Sequence, residues 1–374
     1  VNNSFIVEQK GLLTILASMQ PICTKRTTLD ATSMILFHVG HKELVLKSTD
    51  LEISLQASYI LKESALVHPR SFLVSGRRIF ELVKELEGDI HCTVEEAQLT
   101  LQAGPVHLSL HIKDATEFPP FPERIENKMQ LDVGFLLGML NRVAFIIPQN
   151  NANNALNGLF LEIDTTEFKM TATDGHCLAQ VRSSVYTLGE NVQWLLPRRA
   201  VFEVKKILES LVKESPIFLG TCGNQLVFSG DSFNFFTRLL SDTFPHYTPI
   251  LTKDNFAPAV VDRSHFIKTL RRSACLLSGQ FIPTQFKFTP AVLKVSMHNK
   301  DVGKLEEEIP LQEFAGSQVD VRFYAPYLLN GMQTFAEDAV QCYLQDGAKP
   351  IMFESRAERY NVLYLVMPVA PTHG

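Results

Sequence analysis

No apolar run in the 374 residues approaches the roughly 18–20 that a membrane-spanning helix requires. Cysteine is scarce as well: six residues, at 23, 92, 177, 222, 275 and 342, stand far apart with no C-x-x-C pair. Such spacing argues against a disulfide framework or a zinc site, and a reduced, cytoplasmic protein is the simpler expectation. The opening residues Val1-Asn2-Asn3-Ser4 lack the charged-then-apolar pattern of a secretory signal, which fits that expectation. Net positive charge is missing too. The formal net charge is −5, so any nucleic-acid role requires the cations to be sorted onto one surface. There is no Walker loop, no dinucleotide fingerprint and no G-x-S-x-G elbow, and no cofactor is expected. The close histidine pairs, His38/His41 and His107/His111, come without a third or fourth ligand, so no metal site is expected either.

What the chain does have is 45% hydrophobic residues and enough length for two or three units. Lys169-Met170-Thr171-Ala172-Thr173-Asp174-Gly175-His176-Cys177-Leu178 reads as a hairpin, with Asp-Gly expected to form a type I′ turn. Phe168, Met170 and Ala172 should share one face of the incoming strand, and Lys169, Thr171 and Thr173 the other. Related stretches occur at Val45–Asp50 and at residues 293–299.

Three weak copies of one plan follow. Each opens with an amphipathic helix, marked by Leu12/Leu16/Met19, Phe135/Met139/Val143 and Phe266/Leu270/Ala274. Alternating runs come next, at 33–39, 44–48 and 51–59, then 159–163 and 168–173, then 285–288 and 292–298. A second helix stands mid-copy, beginning near Ser75, Pro197 and Ala325-Pro326, with Ser75 expected as N-cap and the prolines in the first turn. Closing strands are expected at 90–94, 99–101, 106–112, 226–229, 233–240, 340–344, 351–354 and 362–367. Asp50 and Asp174 lie 124 residues apart, and Arg77 and Arg198 lie 121 apart. Proline-bearing linkers are expected near 122–127 and 252–258. The architecture read from this pattern is α+β: three similar domains, at 1–124, 128–251 and 255–374, each with two helices on antiparallel sheets.

Charge recurs in register on the second helices. Arg77 and Lys84, Arg198 and Lys205, and Arg199 and Lys206 are each seven apart, nearly two turns, so each pair shares a helical face. Ile79, Phe80, Val83 and Leu86, and in the next copy Val201, Phe202, Val204 and Ile207, form the opposite faces. The third copy carries Arg263, Lys268, Arg271 and Arg272 on its first helix instead. Helices sharing one cationic surface would meet phosphates without reading sequence.

Taken together, Leu156-Asn157-Gly158, Ala172-Thr173-Asp174-Gly175-His176, Leu196-Pro197-Arg198-Arg199, Phe244-Pro245-x-Tyr247 and Tyr364-Leu365-Val366-Met367-Pro368 resemble the bacterial DNA polymerase III beta subunit, or sliding clamp, family. The resemblance spans the chain in order. It implies the DNA clamp fold, a head-to-tail homodimeric ring, and a non-catalytic processivity role around duplex DNA. It also implies a pocket for polymerase, clamp-loader and repair-factor peptides at Leu156, Thr173, Gly175, His176, Leu178, Pro245, Ile250, Phe281, Tyr327, Met367, Pro368 and Val369. For DNA it points to Arg26, Gln149, Arg198 and Arg199, beside Arg77, Lys84, Lys205, Lys206, Arg271 and Arg272 from the helix pattern. For the dimer it points to the 106–112 strand with Leu108, and to Leu276 or Leu277 as an apolar plug. Cys177 and Pro249 stand where the family commonly has arginine, and Tyr324 where asparagine is typical. The chain also runs on past Met367-Pro368 to Gly374.

Two other readings are weighed against the clamp. A hydrolase would need Asp174 and His176 as a carboxylate–imidazole pair, yet residues i and i+2 around a turn glycine rarely converge. A scaffold unrelated to nucleic acid would keep the fold and lose salt-sensitive retention on circular DNA.

Overall fold

The computed structural model describes residues 3–369; the tail at 370–374 lies outside them. The six α-helices among the described residues are α1 (Gln9–Cys23), α2 (Gly76–Lys84), α3 (Val133–Val143), α4 (Arg198–Glu209), α5 (Arg263–Cys275) and α6 (Ala325–Met332). They fall where the repeat places them. In α1, Leu12, Leu16 and Met19 are buried, and in α2 Ile79 and Val83 are buried. Pro326 lies in the first turn of α6, where its missing N–H costs nothing. Of two expectations about helix starts, one holds in position only and one fails. Ser75 occupies the cap position of α2 but makes no side-chain cap bond. Pro197 ends the Val192–Pro197 strand opposite Gly158, and α4 begins after it at Arg198.

The strands form three sheets, and these do not respect the three copies. One compact unit comprises Val1–Leu136 and Phe202–Leu239. Its 13-stranded sheet joins four strands of the central copy to nine of the first. The junction is an antiparallel ladder between Phe233–Arg238 and Ile53–Ile60, in register Phe235↔Leu55. The second unit comprises Leu137–Val201 and Leu240–Gly374. There an eight-stranded sheet joins the other four central strands to the third copy, through Cys177–Ser183 and Asn361–Val366. A four-stranded sheet completes that unit, with Gly303–Pro310 at one edge. Burial follows the pleat: Phe5, Phe37, Leu55, Phe235, Phe286, Phe353 and Tyr364 are all at or below 2% exposure.

Three local readings need correction. Both expected linkers run into strands, since Glu126–Asp132 and Ala257–Asp262 pair in ladders. Pro258 is tolerated because its strand closes one end of its sheet. The 233–240 run ends its pairing at Arg238. Finally, the face that Thr171 shares with Lys169 and Thr173 is not uniformly open: Thr171 is buried and accepts a hydrogen bond from Gln180.

The Asp174 hairpin is not a type I′ turn, because only Gly175 (φ +92°) has a positive φ there. Asp174 instead closes the turn with its side chain. Its Oδ1 accepts the amides of His176 (2.8 Å) and Cys177 (2.7 Å), while Thr173 Oγ1 accepts the Gly175 amide. The first copy has the same turn. Asp50 Oδ1 accepts the amides of Glu52 and Ile53, and Thr49 Oγ1 that of Leu51, which sits at φ +75° where its counterpart is glycine.

Candidate nucleic-acid and peptide interfaces

The helices concentrate the positive charge. They hold 13 of the 35 Lys and Arg residues but only 3 of the 40 Asp and Glu. The strands and loops are correspondingly acidic. On α2, Arg77 and Lys84 are exposed and Ile79 and Val83 are buried. On α4, Lys206 is exposed, Arg198, Arg199 and Lys205 are half-buried, and Val201 and Val204 are buried. Phe80 and Phe202 are only half-buried. Several cations pair with acids on their own helix: Arg77 donates to Glu81 at 2.8 Å, Lys205 lies 3.5 Å from Glu209, and Lys206 lies 3.4 Å from Glu203. Water and salt screen exposed pairs of this kind, so a phosphate can displace the carboxylate. Arg198 is anchored by Nε donating to the Ile147 carbonyl, 2.9 Å away. On α5, Arg271 is exposed, while Arg272 donates from Nε and Nη2 to the Glu307 carboxylate. Burial pushes that carboxyl up, but hydrogen bonds from Arg272, Thr269 and His265 outweigh it and hold the group below its ordinary range. Arg26 and Gln149 are exposed.

The residues expected to bind peptide lie within the second unit, and most of them gather around the Asp174 turn. The Met367 amide donates to the His176 carbonyl (2.9 Å), which lays the end of the last strand against the turn. The His176 ring stacks on Tyr327 at 5.7 Å. The Tyr364 hydroxyl donates to the Tyr327 carbonyl at 2.8 Å, and its ring occupies the space beside Gly331, where a Cβ would fall 1.9 Å from Cε1. Ile250 and Met367, 46% and 40% exposed, line a hollow of about 490 Å³ with Pro249, Phe256, Lys349 and Pro350. Asn151 secures the turn from outside by donating from its side chain to the Asp174 carbonyl at 3.3 Å. Pro245 is exposed, and Thr173, Pro368 and Val369 are half-buried.

Not every expected residue presents surface. Leu178 is 1% exposed and packs with Phe244, Tyr247, Leu363 and Leu365; Leu156 is 8% exposed. Leu277 is 6% exposed, so of the two plug candidates only Leu276 retains appreciable surface. Leu108 is half-buried on Val106–Asp114, a strand that pairs with Arg70–Ser75 only over 112–114. Sequence reasoning missed the far wall of the hollow, the turn at residues 345–350, although its Asp346-Gly347-Ala348-Lys349-Pro350 run carried a turn signal. It also left the state of Cys177 open. That thiol is 2% exposed, and burial pushes it up to about 12, so it is a neutral packing group.

Among the described residues no group of three or more His, Cys, Asp or Glu side chains is placed to hold a metal, and no helix is long and apolar enough to cross a membrane.

Repeated helix pairs with sorted charge, on sheets that fuse neighbouring copies, define the three-domain DNA clamp fold. Profiles of the DNA polymerase III beta subunit match in sequence along the chain: the N-terminal domain at residues 3–122, the central domain at 130–246 and the C-terminal domain at 248–370. A protein named beta sliding clamp from Pseudomonas aeruginosa is 26% identical over 369 residues, covering 98% of this chain and 99% of that one. One from Staphylococcus aureus is 23% identical over 375 residues, covering 98% of each. Among solved structures, the DNA polymerase sliding clamp of Bacillus subtilis superposes with TM-score 0.90 at 19% identity, covering 99% of this chain and 100% of that one. A Pseudomonas aeruginosa sliding clamp bound to griselimycin superposes with TM-score 0.90 at 23% identity, with the same coverage. The chain belongs to the DNA polymerase III beta subunit family.

Proposed function

We propose that the chain is a cytoplasmic, non-catalytic sliding clamp that encircles duplex DNA as a head-to-tail homodimer and tethers polymerase, clamp loader and repair factors. The observation that carries the reading is the sorting of charge: helices rich in cations on a protein of net charge −5. Contacts from Arg26, Arg77, Lys84, Gln149, Arg198, Arg199, Lys205, Lys206, Arg271 and Arg272 are diffuse and directed at phosphates. They favour a protein that slides, with topology rather than affinity keeping it on the duplex.

Dimer closure fits the open edge at 106–111 on one subunit and the Gly303–Pro310 edge on the next, because pairing them removes two exposed edges. Leu108 and Leu276 then supply apolar contact, with Leu277 packing behind Leu276. The hollow beside Ile250 and Met367 suits an aliphatic anchor of a partner peptide, and the Tyr327 and His176 rings suit an aromatic one. The Asp174 carboxylate is committed to turn amides through Oδ1, which favours a recognition role for this loop over hydrolysis.

Loading onto nicked circular DNA, followed by gel filtration, tests the proposal. Loaded protein should stay with the circle at moderate salt and run off once the DNA is linearised. Equal loss from circular and linear DNA refutes a topological link.

A further inference from the structure

A second hollow, of about 460 Å³, opens in the second unit on the strands Gly158–Ile163 and Val192–Pro197, at one end of the eight-stranded sheet. Phe160 lies opposite Leu195 in the ladder and Glu162 opposite Gln193, so all four share one face. Residues 242–248 supply the other wall. Phe244 stacks on Phe160 (4.9 Å, planes 12° apart) and meets Tyr247 edge to face (6.0 Å, 76°), which gives the hollow an aromatic floor. Of the residues expected to bind peptide only Pro245 borders it, and it has no residue in common with the hollow beside Ile250 and Met367.

Two carboxylates border this floor, and each is held by one oxygen only. The Tyr247 hydroxyl donates to Glu162 Oε2 at 2.6 Å, and Lys169 Nζ lies 3.2 Å from the same oxygen. Burial and the hydrogen bond to Glu162 push the Tyr247 phenol up, so it stays a neutral donor. Asp242 accepts from the Asn154 side chain through Oδ2 at 2.6 Å. Oε1 of Glu162 and Oδ1 of Asp242 take no part in these contacts. Lys169 does not cancel the charge, because it is shared with Glu167, 3.6 Å away. His246 is the one lining residue able to become a cation, and it is exposed.

We propose that this hollow binds an organic cation, an alkylammonium or alkylguanidinium whose charged head meets Glu162 and Asp242 while its apolar stem lies on the Phe160–Phe244 stack. Hydrogen bonds between a cation and a carboxylate are the stronger kind, and an aromatic face attracts a cation within about 6 Å of its centre. Both carboxylates repel an anion. A bare metal ion fits poorly, since the floor offers rings in place of oxygens and no group of three ligating side chains gathers among the described residues. The charged head can come from a free amine or from a lysine or arginine side chain of a partner. Neither source requires the peptide groove.

Saturation-transfer difference NMR titrations on the full chain test this. The probes are butylguanidinium, neutral butanol, the anion pentanoate and a capped Gly-Arg-Gly tripeptide. Butylguanidinium should bind about tenfold tighter than butanol, with pentanoate weakest. Asp242→Asn, at an exposed position, should cut that preference about threefold, and adding Glu162→Gln should abolish it. Tripeptide binding as tight as that of butylguanidinium assigns the hollow to a partner's basic side chain; exclusion of the tripeptide assigns it to a free amine. Equal affinity for butylguanidinium and butanol, tighter binding of pentanoate, no binding of any probe, or a preference that Asp242→Asn leaves unchanged overturns the proposal. Should the double variant unfold, Asp242→Asn alone decides the outcome.

Discussion

The turn at Asp50 and the turn at Asp174 are the same device put to different ends. Both use one carboxylate oxygen to hold two amides and a threonine hydroxyl to hold a third, and both place a left-handed residue after the aspartate. At Asp50 the turn is closed off. The carboxylate is 3% exposed, and Lys25 bridges to it and to Glu52. At Asp174 the turn carries His176 at its exposed tip, beside Tyr327 and Met367. The repeated turn is thus closed scaffold in one copy and, in another, part of the proposed peptide groove. The aspartate and threonine that build the turn are shared; the left-handed residue, Leu51 or Gly175, and the surroundings differ.

Removing the carboxylate should separate the two turns most clearly. Asp50→Ala leaves buried amides without partners and should cost about 2–4 kcal/mol in urea unfolding. Asp174→Ala should cost about 1–2 kcal/mol, because water reaches that turn, yet it should weaken peptide binding, which Asp50→Ala leaves intact. Equal losses from both would show that the turns are energetically alike.

Exchanging the left-handed residues gives a smaller effect of opposite sign at the two places. Leu51→Gly relieves a conformation that costs an L-residue about 1–2 kcal/mol and should raise the unfolding midpoint. Gly175→Leu, with nothing within 4 Å of its added Cβ, should lower stability by a similar amount through backbone strain alone.

The third comparison is between Cys177 and Ile53, the residues that follow the two turns, each 2% exposed. If Cys177 is only a packing group, Cys177→Val should change stability by under about 1.5 kcal/mol. Alkylation at pH 8 should reach exposed Cys275 quickly and Cys177 only on unfolding. Burial raises the Cys177 thiol from an ordinary 9.0 to about 12. Its contribution to stability is therefore full below pH 9 and is lost as pH rises towards 12, where the unfolded chain ionises and the folded one does not.

The helices were legible from sequence because a buried stripe at i, i+3 and i+4 has little other meaning; Leu12, Leu16 and Met19 show this. Central strands were legible from Val, Leu and Phe alternation. The missed strands, such as Glu126–Asp132 and Gly303–Pro310, are polar because they lie at sheet edges with one face or one side in water. The sequence of the latter, Gly-Lys-Leu-Glu-Glu-Glu-Ile-Pro, looks like a charged loop until its partner Val292–Asn299 is known. The expected type I′ geometry failed because aspartate can satisfy a turn through its side chain without leaving negative φ. At the candidate site the turn and the C-terminal residues were legible as motifs. The row of rings from Tyr327 through Tyr324 to Phe281 was not, since these come together only through tertiary packing.

The ladder from Phe233–Arg238 to Ile53–Ile60 has a consequence for how such a chain could be cut or recombined. A fragment ending near residue 124 would expose the flank of that strand over Ile53–Ala57, including the backbone groups that Phe235 and its neighbours normally satisfy. The first module is therefore not a free-standing bead. Its natural terminus in space lies four strands inside its neighbour, so grafting or splitting at the proline-rich junction would yield a piece that seeks a substitute strand and precipitates with its own kind.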